Sequence, residues 1–364
     1  MSPVLRWSLI VLAVIVGIVS IMGVRFLSAA GYFTAIKQEV AAQCTAIPSP
    51  PGPEDIQVDR THGLAFVSAT DRRALMAGKT GARGGIYTID LTAPSDQWSL
   101  HPVTASEPAD FHPHGISLYN GPDGMRRLFA VNHRTNGQSI EIFDIAADGT
   151  LTLFKTVEDP LLISPNDVVA VGPEAFYAVN DHNTSSRGAA MLGDLLLLRK
   201  GNIVYYDGAS MRVVGDTLGF ANGINVSADG KSIYATEFLG RSLHIYARDA
   251  ATGTLTPTDF TTLGSGLDNI DVEEDGSLLI AAHPEITALV GHGSDPEKLS
   301  PSQVIRVELS PKGEGGRAGT IYLNRGEELS GASVAAGYRD LMLIGNVFDP
   351  KILVCKQSKE IRAF

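Results

Sequence analysis

Five oxygen-bearing side chains recur at one phase of the chain: Glu54, Asn166, Asn222 and the neighbours Asp268 and Asn269. They open the phrases "EDIQVD", "NDVVAVG", "NGINVSADG" and "DNIDVEEDG". Donors of this kind suit a hard cation such as calcium, which gathers about six to eight oxygens from carboxylates, amides, backbone and water. Zinc prefers His or Cys, and the set has too few of them. Asp55 and Asp167 directly follow Glu54 and Asn166. Successive residues entering a strand differ in face or depth, so this pair could form a second, deeper site. Taken singly, each of these residues is an ordinary turn former. Their repetition at one phase is what points to a metal.

His114 stands at the same phase in "FHPHGISLY", and His133 ends the strand that follows, "RLFAVNH". A histidine pair beside a cation could act as general base and orienting partner, because imidazole titrates near neutral pH. The alternative is a structural role for each ring. His112 lies two residues before His114, and His182 and His283 end later strands, where they could line the same mouth. The chain shows no Gly-x-Ser-x-Gly elbow, P-loop or dinucleotide fingerprint in a credible context.

The elements that must position these residues can be read from the same phrases. Two more, "PHGISLY" at Pro113 and "GASVAAG" at Gly331, complete a set of six. Each is answered after a turn by an apolar segment: "GLAFVSA", "RLFAVNH", "AFYAVNDH", "SIYATEF", "SLLIAAH" and "LMLIGNV". A unit recurring every 45 to 65 residues or roughly so is the mark of a β-propeller, here all-β with six blades. The start of each innermost strand then faces one central axis. Turn signals punctuate the strands: "PDG", "ADG", "SADG", "EEDG" and "PKGEGG". The run Ala189 to Lys200 reads as either a strand or a short helix. Thr70 to Gly85 is basic and glycine-rich, and is the candidate mobile loop.

The 364 residues, 44% hydrophobic, can bury a large core, and the net charge of -11 argues against nucleic-acid binding. Residues 1–25 hold an apolar run, Ser8 to Val24, flanked by Arg6 and Arg25. It reads as a signal-anchor that spans a membrane, with a signal peptide cleaved near Ala29 and Ala30 as the alternative. Residues 26–43 form a connector or an interfacial helix, and residues 44–364 the propeller. Both N-terminal readings place the propeller in an exported compartment, periplasmic or extracellular, either membrane-anchored or secreted. Cys44 and Cys355 are the two cysteines. In an exported chain they suggest one disulfide clasping the ends of the ring, the alternative being two free thiols. A loop of that length is worth on the order of 5 kcal/mol in the chain-entropy model.

The phrases "GPEDI", "FHPHGIS", "PNDVVAVGPEAFYAVNDH", "FANGINVSADGK", "LDNIDV" and "AAHP" resemble the paraoxonase (arylesterase and lactonase) family, in order, from about Cys44 to Cys355. The resemblance implies two calcium ions in the tunnel of a six-bladed propeller. The catalytic ion would be held by Glu54, Asn166, Asn222, Asp268 and Asn269. The structural ion would be held by Asp55, Asp167 and the backbone carbonyl of Ile116. His114 and His133 would match the family's histidine dyad, and Cys44 and Cys355 its disulfide. The N-terminal segment would match its membrane or lipid anchor. Two stretches depart from the animal pattern: Thr70 to Gly85 lacks the aromatic of the animal lid, and Pro284 to Gln303 also differs. Both are expected to border the substrate mouth.

The leading expectation is therefore a calcium-dependent hydrolase of small-molecule lactones and aryl esters. Calcium would polarise the carbonyl, and His114 would deprotonate water with His133 orienting or relaying, the base role being open to Glu54 as well. The alternatives are a propeller enzyme of the gluconolactonase or strictosidine-synthase-like kind and a non-catalytic, calcium-stabilised, membrane-anchored binding module.

Overall fold

Each of the six phrases forms the innermost strand of a separate sheet, and each answering segment forms the strand beside it. The structure is a computed structural model that describes residues 2–36, 39–79, 81–310 and 316–357. The turn "PKGEGG", apart from its last glycine, lies outside the described residues, as do Thr80 of the basic segment and the last residues of the propeller unit. The inner strands of blades 1 to 6 are Pro53–Asp59, Pro113–Asn120, Pro165–Ala170, Ala221–Val226, Gly266–Val272 and Ala332–Tyr338. The partners are antiparallel throughout: Leu64–Ala69, Arg126–Arg134, Phe176–Asn180, Ser232–Glu237, Leu278–His283 and Leu341–Asn346.

The blades have buried inner strands because each blade packs on the next through both faces. Pro165–Ala170 is buried at every position. Ile56 and Val58 of blade 1 meet Val334, Ala336 and Leu343 of blade 6. Phe129 and Val131 of blade 2 meet Val168 and Phe176 of blade 3. Each such side chain contributes about 1.5–3 kcal/mol on burial. The aspartates of the turn signals bond ahead to main-chain N–H groups. Asp123 accepts from Met125, Asp148 from Thr150, Asp229 from Lys231 and Asp275 from Ser277.

The ring closes in blade 6, whose outer strand, Cys44–Pro48, comes from the other end of the chain and pairs with Lys351–Lys356. Cys44 stands opposite Cys355 in that register, and the two form the disulfide. Among the described residues four α-helices accompany the strands: α1 (Pro3–Ala29), α2 (Arg72–Met76), α3 (Arg187–Leu195) and α4 (Ile286–Ser294). Helix α1 has no buried residue and, among the described residues, is the one helix long and apolar enough to cross a membrane. It continues past Arg25 to Ala29. The ambiguous Ala189 to Lys200 run begins as helix, capped by the Ser186 hydroxyl, which accepts from Ala189 N–H at 3.4 Å. The basic segment after Thr70 holds α2, capped by Asp71.

Candidate active site

A break in pairing register marks the start of every inner strand: after Pro53, Pro113, Pro165, Ala221, Leu267 and Ala332. An irregularity of this kind re-aims the side chain it carries. The residues in the breaks are Glu54, His114, Asn166, Asn222, Asp268 with Asn269, and Ser333. The recurring polar phase of the sequence is therefore one structural device repeated around the axis. Gly115 and Gly223 follow two of these residues where blades approach closely. A Cβ at Gly115 would lie 2.2 Å from Asp167 Oδ1, and one at Gly223 would lie 2.7 Å from the Asp268 carbonyl.

Glu54, His114, Asn166, Asn222 and Asp268 share one cavity of about 690 Å³. Asn269 joins them from below the surface, its Nδ2 donating to Glu54 Oε1 at 3.1 Å. Five oxygens at this floor are buried and have no hydrogen-bond partner: Glu54 Oε2, Asn166 Oδ1, Asn222 Oδ1, Asp268 Oδ1 and Asn269 Oδ1. An unpaired buried polar group costs about 1–3 kcal/mol, so such a cluster in one place calls for a ligand. Two carboxylate and three amide oxygens fit a hard cation. Among the described residues no group of three or more His, Cys, Asp and Glu is set to hold a metal. A site in which amides supply most of the donors does not take that form.

The deeper pair is placed one step inward and is satisfied differently. Asp55 accepts from the N–H groups of Ile56 and Ile116, both at 2.7 Å. Asp167 accepts from Val168 at 2.7 Å and Ile224 at 2.8 Å. Each carboxylate thus ties its own blade to the next. Burial pushes both acids well above the usual carboxylate range, helped by Glu54 beside Asp55 and by Asp55 beside Asp167. Ile116 meets Asp55 through its N–H.

The histidines form a chain that ends at the cavity. Gln138 Oε1 lies 2.7 Å from His133 Nδ1, His133 Nε2 lies 2.7 Å from His114 Nδ1, and His114 Nε2 lies 3.4 Å from Glu54 Oε1. With Gln138 accepting, His133 carries its proton on Nδ1 and accepts from His114 Nδ1–H, which leaves His114 Nε2 as the bare nitrogen. Desolvation, reinforced by His114, pushes His133 down to about 3 and keeps it neutral. Burial would raise Glu54, but the charge of His114 in its protonated form, with Arg72 and the Asn269 amide, outweighs it and holds the carboxyl below its ordinary value. Asp268 is raised by burial, with Glu54 adding to the effect, while its Oδ2 lies 2.7 Å from His283 Nε2.

The other histidines are held elsewhere. His112 is buried with its ring nitrogens at 2.9 Å from the His133 carbonyl and 2.6 Å from the Ala82 carbonyl. His182 bridges Asp181 and Asp194. His283 meets the floor through Asp268 and packs edge-on against Phe238. Sequence reasoning missed Gln138, which carries no repeat signal, and Ser333, whose hydroxyl donates to the Glu54 carbonyl at 2.7 Å. It also missed the side chain of Arg72 at the cavity wall.

The cavity walls are largely apolar, with Phe220, Phe238, Leu289, Val347 and Phe348 joined by Arg72 and Arg73. The Thr70 to Gly85 segment contributes Arg72 and Met76, and the Pro284 to Gln303 segment contributes Leu289 and Val290. Both stretches expected to border the substrate mouth thus contribute to the lining of this cavity.

Residues 51–357 match the family model named Arylesterase. The chain is 34% identical over 313 residues to serum paraoxonase/arylesterase 1 of Homo sapiens, covering 84% of this chain and 86% of that one. It is 32% identical to serum paraoxonase/lactonase 3 of Rattus norvegicus, with the same coverage. Among solved structures, the periplasmic gluconolactonase of Pseudomonas aeruginosa superposes with a TM-score of 0.51 at 14% identity, over 85% of this chain and 87% of that one. That likeness is one of fold. The family match and the relatives' identity over most of both chains go further, and the chain belongs to the arylesterase family of the serum paraoxonases.

Proposed function

We propose that the chain is a calcium-dependent hydrolase of lactones and aryl esters, with His114 as its general base. The observation that carries this reading is the set of five buried, unpartnered oxygens on the floor of a largely apolar cavity beside His114. The human relative's name includes arylesterase and the rat relative's lactonase. Glu54, Asn166, Asn222, Asp268 and Asn269 would hold the catalytic ion. Asp55, Asp167 and the Ile116 carbonyl would hold a structural one. Bound at the upper tier, calcium would supply Lewis-acid polarisation of the substrate carbonyl.

The chain's own residues supply the proton chemistry. His114 Nε2 takes a proton from the attacking water as the new C–O bond forms. Glu54 Oε1, 3.4 Å away, faces the imidazolium that results. His133 and Gln138 hold the His114 ring in the tautomer that makes Nε2 available. As the acyl–oxygen bond breaks, His114 returns the proton to the leaving oxygen.

Helix α1 is proposed to anchor the propeller in a membrane from an exported compartment. The Ala30 carbonyl accepts from Ile286 N–H at 2.8 Å, and Ala30 packs with Phe238, Ile286 and Leu289 at the mouth. Met191 and Leu192 on α3 are exposed. The anchor and the cavity mouth thus share one end of the propeller.

The test uses the full chain in detergent or membranes, with phenyl acetate and δ-valerolactone as substrates. Turnover should vanish with a calcium chelator and return with calcium. Full turnover in protein shown by metal analysis to be calcium-free would overturn the reading. So would calcium binding without hydrolysis of any lactone or ester.

A further inference from the structure

Two adjacent arginines of α2 line the cavity, and they are used in opposite ways. Arg73 is engaged through both terminal nitrogens in fixing the helix. Its Nη1 donates to the Phe348 carbonyl and to Asp349 Oδ1, both at 3.3 Å, and its Nη2 donates to the His292 carbonyl at 2.9 Å. Its guanidinium also lies 4.9 Å from the Phe348 ring centre. Arg72, beside this knot, faces Glu54 as an ion pair but uses little of its hydrogen-bonding capacity. Among the described residues its guanidinium makes one hydrogen bond, from Nη1 to the Gly52 carbonyl at 3.4 Å. Its Nη2 stands 3.7 Å from Glu54 Oε2, within ion-pair range but beyond hydrogen-bond reach, and that oxygen has no hydrogen-bond partner. A guanidinium has five N–H donors, so most of this fork is unused in a cavity that also holds His114, Asn222 and Asp268.

We propose that Arg72 is a specificity residue that binds a carboxylate carried by the substrate close to its reacting carbonyl. This rests on the hydrolase reading above. A substrate carbonyl placed over the oxygen floor brings its neighbouring substituents next to Arg72, because Arg72 borders Glu54. A fixed cation beside a cation-binding floor is repelled by whatever fills that floor, and an anionic substituent lying between them relieves the repulsion. The planar fork of Arg matches a carboxylate in two-point contact. The remainder of the substrate then meets Phe220, Phe238, Leu289 and Phe348. The class selected is an ester or lactone with an apolar part and one carboxylate. The plainer role, a counter-ion to Glu54 at 3.7 Å, uses one end of the guanidinium and leaves most of its donors free for a ligand.

The test compares phenyl pentanoate with monophenyl glutarate, in which a carboxylate replaces the terminal methyl of the acyl chain. It uses the calcium-loaded full chain and the variants Arg72→Met and Arg72→Lys. The native protein should favour the glutarate ester in kcat/KM by about tenfold or more, mostly through KM, the scale of one charge-assisted contact. Arg72→Met should collapse the ratio to about one, and Arg72→Lys should keep part of it. A counter-ion role would lower both esters together and leave the ratio unchanged, and that result overturns the proposal. Calorimetric titration with glutarate itself separates the two readings. Glutarate binding that weakens about tenfold in Arg72→Met, without hydrolysis of either ester, upholds the anion site and rejects the hydrolase. Hydrolysis with equal ratios, and glutarate affinity unchanged in Arg72→Met, does the reverse.

Discussion

His114 Nδ1 and His133 Nε2 lie 2.7 Å apart, and the ring of His133 is itself fixed by Gln138. The pair is asymmetric. His133, pushed down to about 3 by desolvation and by His114, keeps one proton on Nδ1 and a lone pair on Nε2 across neutral pH. His114 is the ring with a nitrogen directed to the cavity side, 3.4 Å from Glu54. The division of labour follows from these contacts: one ring exchanges the proton and the other holds it in position.

That asymmetry gives the first prediction. His114→Gln should lower kcat for phenyl acetate by about a hundredfold or more, the usual scale of positioned proton transfer, with calcium affinity nearly unchanged. His133→Gln should cost less. His112→Gln should act on stability instead, since it removes bonds to the Ala82 and His133 carbonyls. Turnover in His114→Gln close to native across the pH range would transfer the base role to Glu54.

The floor gives the second. Asp268→Ala and Asn222→Ala each remove one of five unpartnered oxygens. Both should abolish hydrolysis and weaken calcium binding, read by titration with a calcium indicator. Asp268→Ala should be the more severe, because it also strands His283, whose Nε2 is 2.7 Å from the lost carboxylate. Undiminished activity and calcium stoichiometry in both variants would remove the floor from the mechanism.

The deeper acids give a pH signature. Burial, with repulsion from Glu54 on Asp55 and from Asp55 on Asp167, raises both well above the ordinary carboxylate range. The folded state therefore holds protons that the unfolded state has released. Stability from these groups is largest at low pH and falls as pH rises above about 4. A bound cation offsets that repulsion. The Tm of calcium-free protein should thus fall between pH 5 and 8 more steeply than that of loaded protein, and Asp167→Asn should flatten the calcium-free slope. Within one pH series the His133 contribution, which rises with pH between about 3 and 6.5, is common to both proteins and cancels. Equal slopes with and without calcium would contradict the deeper site.

Much of this architecture was legible because it repeats. The polar phase at Glu54, His114, Asn166, Asn222 and Asp268 coincides with a register break in each blade, so one local rule acted many times. Cys44 and Cys355 were legible because a ring must close where its ends meet. What stayed hidden is what occurs once. Gln138 lies on the third strand of blade 2 with no counterpart in the other phrases, and only the fold brings it to His133. Ser333 sits at the repeating phase but looks like a small filler in "GASVAAG", and its bond to the Glu54 carbonyl spans the ring closure. The Ala189 to Lys200 run was ambiguous because a short apolar stretch fits either period until its cap is known.

The last prediction concerns the mouth. His182 is clamped between Asp181 of blade 3 at 2.8 Å and Asp194 of α3 at 2.9 Å. Burial opposes its charge, but the two carboxylates hold it up to about 10. The folded pKa is above the unfolded value of about 6.5, so the folded state binds the extra proton in between. The clamp is fully present below about pH 6.5 and is lost as pH rises through about 10. Helix α3 has no buried residue of its own, which leaves this clamp as a principal tie to blade 3. Hydrogen exchange of the α3 amides, corrected for intrinsic rate, should accelerate between pH 7 and 10. Asp194→Asn should show the faster exchange already at pH 7 and lose the pH dependence. If corrected exchange stays flat in the native chain and matches that of Asp194→Asn, the ion pair does not seat the helix. In that case the apolar contacts beside α1 would hold it instead.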